Sequence, residues 1–177
     1  SSSYYGLRLP KWAQKFNKKD LCEAYLSEKW ELLLPSKAYD ESLNDNSAYE
    51  EPFAGQKYPK FPHDLPELIK ENGKGLIKST PYGNSLTKDM AIAAIEGEGL
   101  GEDIHTDLLA VSFSSPDYVG HQFGTDSKEI HDTYLRLDRD LASFLSYLDV
   151  QIGKENVLVF LTADHGAVRT PSYLKDR

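Results

Sequence analysis

Apolar residues run along this chain in two rhythms. In the second half, Ile130, Tyr134, Leu137, Leu141, Leu145 and Leu148 recur at spacings of three and four, the period of an amphipathic helix. Asp126, followed three residues later by Glu129, reads as a capping box at its start, and Gly153 marks its exit. On the other face, Asp132, Arg136 and Asp140 read as a solvated charge ladder. Two short runs flank this helix, Asp107 to Phe113 and Asn156 to Thr162. Both are nearly continuously apolar at their centres, as in strands covered on both faces. Strand, helix and strand in this order predict a parallel β-α-β unit with a right-handed crossover.

The first half has weaker periods. Between Pro10 and Pro35 the chain reads as helix-rich, with Asn17 as an N-cap, Asp20 in an acidic first turn, and Leu21, Ala24, Tyr25 and Leu32 near helical spacing. Residues 36–62 are polar, aromatic and proline-containing without a period, which predicts a long irregular loop or insertion. A short helix is expected at Glu67 to Lys70, closed by Asn72-Gly73. Ser79 to Asn84 reads as a turn or surface loop. Thr87 then caps a helix through Ile95 that Gly97 and Gly99 end. Tyr4, Tyr5 and Trp12 read as a packing cluster rather than a binding platform.

The fold class expected is therefore α/β. Residues 1–100 form a helix-rich cap or insertion region and residues 101–177 a β-α-β portion, together one compact unit. In open parallel sheets ligands sit beyond the carboxyl ends of the strands. There the chain presents SPDYVGH, with Asp117 and His121, and TADHG, with Asp164 and His165. Pro116 and Gly120 predict a turn that lets Asp117 and His121 converge on one ion. Carboxylate oxygens and imidazole nitrogens suit zinc or a similar divalent metal. Taken singly, an Asp after a strand is often a cap or turn former, and a lone His is often merely hydrogen-bonded. The metal reading rests on both residue types recurring at two strand ends. His63, His105 and His131 have no such pattern and read as surface or core histidines, and Arg169 as solvent-exposed.

Composition narrows the classes. Of 177 residues, 40% are hydrophobic and 27% charged, and the net charge of -8 argues against a nucleic-acid partner and against an anionic membrane surface. No apolar run approaches the roughly 20 residues of a membrane span. The single cysteine, Cys22, rules out an internal disulfide. No glycine-rich phosphate loop and no nucleophile elbow is present. The start at Ser1-Ser2-Ser3 and the absence of any terminating logic after Tyr173 read as an internal piece of a longer protein.

The run from Ser114 to Asp149 followed by VLVFLTADHG resembles the alkaline phosphatase superfamily. It is most similar to the phosphate-irrepressible bacterial alkaline phosphatases, near the type I phosphodiesterases and nucleotide pyrophosphatases. FPHDLP at Phe61 to Pro66 and STPYGNSLTKDMA at Ser79 to Ala91 fit the same branch. The resemblance implies two zinc ions, one on Asp117 and His121 and the other on Asp164 and His165. It implies a small phosphate-ester substrate, a Thr or Ser nucleophile outside this chain (Thr80 beside Pro81 is not in its setting), and a periplasmic or secreted parent. The isolated chain is expected to be inactive, with possible self-association through a truncated sheet edge. Alternatives are a phosphodiesterase or nucleotide pyrophosphatase, a sulfatase or phosphoglycerate mutase, or a non-catalytic domain keeping the fold.

Overall fold

A computed structural model describes Gly6 and residues 8–177, so Tyr4 and Tyr5 of the predicted aromatic cluster lie outside the described residues. Pro10, with φ of -53°, leads into helix α1 (Lys11–Asn17), so Asn17 closes a helix rather than opening one. Asp20 instead precedes helix α2 (Leu21–Tyr25), in a left-handed conformation with φ of 46° that a short polar side chain tolerates. Helix α3 (Leu65–Asn72) begins under an Asp64 side chain that accepts from the Glu67 amide, and it stops at Gly73. The loop of residues 36–62 is irregular, yet it buries Tyr39 and Phe53.

Helix α4 (Tyr82–Glu98) starts well before Thr87. Thr80 is extended, as a residue preceding proline prefers, and Pro81 already has a helical φ of -61°. The Ser79–Asn84 segment is therefore not a surface loop: Thr80 and Asn84 are fully buried. Thr87 bonds back to the Gly83 carbonyl at 2.8 Å inside the helix, and Gly99, at φ of 66°, ends it. α1 lies against α4 because Gly97 has no side chain; a Cβ there would meet Trp12 at 2.1 Å.

Helices α5 (Ser115–Phe123) and α6 (Lys128–Leu148) form the second half. Val119 and Phe123 of α5 and Ile130 of α6 join Leu26, Trp30, Phe53 and Leu65 in one core, while Phe144 and Leu148 of α6 pack on Ala91 and Ile95 of α4. The buried stripe of α6 is offset from the predicted one. Tyr134 and Leu145 are exposed, whereas Glu129, Asp132 and Thr133 are fully buried. Ser127, not Asp126, caps α6, accepting from the Ile130 amide at 3.2 Å. A short helix α7 (Pro171–Lys175) ends the chain.

The expected parallel β-α-β unit is not what the chain forms. Among the described residues the one β pairing is an antiparallel bridge between Trp30 and His63. Residues 107–113 and 157–163 belong to no helix and no ladder, although Val157 has extended dihedrals. Apolar, β-branched sequence favours an extended backbone, but a strand exists only through hydrogen bonds to a neighbour. Here each run rests one valine, Val111 or Val157, on the α4–α6 pair. Leu108, Phe160 and Leu161 stay more than four-fifths exposed. The covering layer of α6 is helical, supplied by α4 and α5.

The charge ladder read on α6 is also not solvated. Asp132 is fully buried and accepts from the Trp30 indole (2.7 Å), the Leu33 amide (2.7 Å), the Tyr39 hydroxyl (2.6 Å) and the Arg136 guanidinium (2.7 Å). Asp140 takes Lys88 and Ser85 of α4 at 2.8 and 2.7 Å. Beside Asp132, His63 lies 3.0 Å from Glu129, both at zero exposure. The Gln56 amide donates to the Lys60 carbonyl, so its oxygen faces His63 Nδ1 at 3.1 Å and that nitrogen carries the proton. His63 Nε2 is then an acceptor, and a protonated Glu129 donates to it. Burial pushes Glu129 well above the ordinary carboxyl range and His63 below the ordinary imidazole range, in agreement with a neutral pair. Burial raises the neighbouring Glu50 to about 7.

This arrangement has a pH signature. The folded state retains a proton on Glu129 that the unfolded chain releases near 4.5. That contribution is fully present below the unfolded value and is lost as pH rises through the raised folded value. Glutamine cannot titrate, and its NH2 can donate to His63 Nε2. Relative to the parent, Glu129→Gln is expected to gain up to about 1.4 kcal/mol per pH unit across that window. His63 acts in the opposite sense, losing its contribution as pH falls, and is present in both proteins. Urea unfolding from pH 4 to 9 tests this, and parallel stability curves would refute a protonated Glu129.

Candidate metal centre

Proline in the first turn starts α5, and Ser115, held by the Asn84 side chain through its amide at 3.3 Å, anchors that turn to α4. Gly83 permits the close approach, since a Cβ there would meet Ser115 Oγ at 2.2 Å and the Ile77 carbonyl at 2.8 Å. SPDYVGH is thus a helix, not the predicted turn. Asp117 and His121 converge because residues four apart share a helix face, with Asp117 Oδ1 3.4 Å from His121 Nε2.

The TADHG segment arrives from the other side. His165 Nε2 lies 3.8 Å from the same Asp117 oxygen and 3.6 Å from Asp164 Oδ2. His165 Nδ1 stands 3.0 Å from the Gly166 carbonyl, which can only accept, so Nδ1 carries a proton and Nε2 is the nitrogen whose lone pair a metal would take. The Gly166 carbonyl, then Asp164 and Asp117, hold the imidazole above its usual range. All four side chains are solvent-accessible.

These separations can be compared with a metal's needs. Ligand atoms at 2.0–2.2 Å in a tetrahedron stand roughly 3.3–3.6 Å apart, and the Asp117–His121 and Asp164–His165 separations of 3.4 and 3.6 Å match this. The donor types and spacings fit zinc. No group of three or more His, Cys, Asp or Glu side chains among the described residues is placed to hold a metal ion, so the four do not form a complete cage. Thr80 offers no nucleophile here: it is fully buried and its hydroxyl donates to the Ile77 carbonyl at 2.9 Å. An apolar groove of about 490 Å³ between α1, α4 and residues 109–112 has no titratable lining and no part in this chemistry.

Of the histidines set aside from sequence, His63 is a core residue, His131 meets Ser42 at 3.0 Å, and His105 is exposed. Sequence reasoning missed the Glu129–His63 pair and the partner of Arg169. Acidic residues beside Ile130 and Thr133 on the inward side of α6 were the available signal for the former.

The sequence profile of the type I phosphodiesterase/nucleotide pyrophosphatase family matches residues 11–177, and the chain belongs to that family. Among characterised relatives, it is 48% identical over its whole length to alkaline phosphatase PhoV of Synechococcus elongatus and 47% identical over 99% of its length to alkaline phosphatase PafA of Elizabethkingia meningoseptica. It is 54% identical to a protein of Myroides odoratus named a calcium-transporting ATPase. The crystal structure of wild-type PafA superposes with a TM-score of 0.94 at 48% identity, over 98% of this chain and 34% of that one. The chain spans about a third of the length of these relatives. No helix of the described residues is long and apolar enough to cross a membrane.

Proposed function

We propose that the protein is a zinc-dependent phosphate-ester hydrolase, a phosphomonoesterase of the alkaline phosphatase type. In this reading Asp117 and His121 hold one ion and Asp164 and His165 the other. The observation that carries it is two donor pairs, Asp117 with His121 at 3.4 Å and Asp164 with His165 at 3.6 Å, set side by side in a chain nearly half identical to two alkaline phosphatases. When bound, such a pair of ions stabilises the attacking and leaving oxygens of an in-line displacement and offsets the charge of an anionic ester. Helix α5 fixes the Asp117–His121 spacing, and the Gly166 carbonyl keeps His165 Nε2 turned toward Asp117. A Thr or Ser nucleophile and further ligands come from elsewhere in the whole protein, so this chain by itself does not turn over substrate. Residues 1–100 are read as a cap region beside the metal-bearing residues 101–177, and the whole protein as periplasmic or secreted.

The family's name supports a second reading, hydrolysis of a phosphate diester. Both are tested on the intact protein with an aryl phosphate monoester and a bis-aryl diester. The monoester is expected to be cleaved faster, with activity lost in a chelator and regained on adding zinc. Full activity in excess chelator sinks both readings, and a faster diester reaction selects the second.

A further inference from the structure

Residues 157–168 are mostly exposed, and beyond the rest of Val157 on the α4–α6 pair they touch the remaining described protein through one polar contact, His165 to Asp117. The next fixed point is Arg169. Its Nε lies 3.0 and 3.1 Å from the two carboxylate oxygens of Asp126, and Nη2 lies 2.9 Å from Oδ1. Asp126 sits three residues beyond the end of α5, and its carbonyl accepts from the Leu43 amide at 2.8 Å. After Arg169 the chain is tied again: Tyr173 packs edge-on against Tyr49, and Tyr49 donates to Asp176 at 2.8 Å.

We infer that Arg169 is a positioning residue. Its fork on Asp126 sets where Asp164 and His165 stand relative to Asp117 and His121, an inference whose functional meaning rests on the metal-centre reading above. Arg169 lies four positions after His165, and Asp126 lies in the turn that follows α5, the helix that carries His121. The clamp therefore references one donor pair to the other. A guanidinium fixes direction as well as charge, because two N–H bonds run to one planar carboxylate. The pair is partly exposed, so it adds little to global stability. Its effect is local.

The test uses the intact protein, metal-free, with native cysteines replaced and nitroxide labels at Tyr118 and Ala167. Pulsed dipolar spectroscopy is expected to give a narrow distance distribution in the parent. In Arg169→Ala the width should at least double, Arg169→Lys should be intermediate, and the swap Asp126→Arg with Arg169→Asp should restore it. Zinc affinity by calorimetry should fall roughly tenfold or more in Arg169→Ala and recover in the swap. An unchanged width overturns the clamp, and so does a widened distribution with unchanged zinc affinity. If the parent itself takes up no zinc while the width responds as expected, the clamp stands and the metal reading fails.

Discussion

Asp132→Ala is expected to destabilise the protein by about 3–5 kcal/mol, the range for breaking a buried charge pair. Asp132 has no exposed surface and is the shared acceptor for Trp30, Leu33, Tyr39 and Arg136. Removing it strands four donors, and each unsatisfied buried group costs about 1–3 kcal/mol. Against a typical stability of about 5–15 kcal/mol, that is a large share. Asn does not rescue the site: both carboxylate oxygens accept from two donors each, so either amide orientation points an NH2 at two other donors. Tyr39→Phe removes a single donor and should cost only about 1 kcal/mol. Burial and the Asp132 carboxylate push the Tyr39 hydroxyl up to about 12, so it remains a neutral donor throughout the working range. Urea unfolding followed by Trp fluorescence reads all three. Equal midpoints for Asp132→Ala and Tyr39→Phe would show that Asp132 is not the hub.

The second large effect concerns chemistry rather than stability. In the intact protein, Asp117→Ala and Asp164→Ala are each expected to lower kcat/KM for an aryl phosphate by roughly a thousandfold or more, a loss of several kcal/mol of transition-state stabilisation. Each should also lower the bound metal by about one equivalent on elemental analysis. Both carboxylates are accessible to solvent, and neither supports the core, so the thermal midpoint should move little. His165→Ala should behave alike, because its Nε2 faces Asp117 while its Nδ1 is committed to the Gly166 carbonyl. Unchanged metal content and rate in Asp117→Ala and Asp164→Ala would remove the basis of the proposed centre.

What could be read from the sequence was local. The period of α6, the closing of α3 at Gly73 and the irregularity of residues 36–62 each depend on neighbours a few residues away. The resemblance to the alkaline phosphatase superfamily was legible too, because motif order and spacing survive in the primary structure. The candidate donors were legible as residue types, but their convergence depends on α5 being a helix, which the Pro116 and Gly120 turn reading missed. Proline belongs in a first helical turn, and one interior glycine costs only about 1 kcal/mol, well within what packing Val119 and Phe123 can offset.

Only the tertiary structure decided the rest. Two apolar runs read as paired strands remain unpaired, because pairing is a property of a neighbour and not of the run itself. Two acidic residues on α6 that looked solvated, Asp132 and Asp140, are buried, as is Glu129 of the expected capping box, because Trp30, Tyr39, His63 and Lys88 arrive from distant sequence to receive them. The sequence by itself determined α6, the family and the residue types of the candidate donors, since these follow from local periodicity and residue identity. Which carboxylates are buried, and how Asp126 and Arg169 bring two motifs together, depends on contacts between residues far apart in the chain, and no local pattern encodes those.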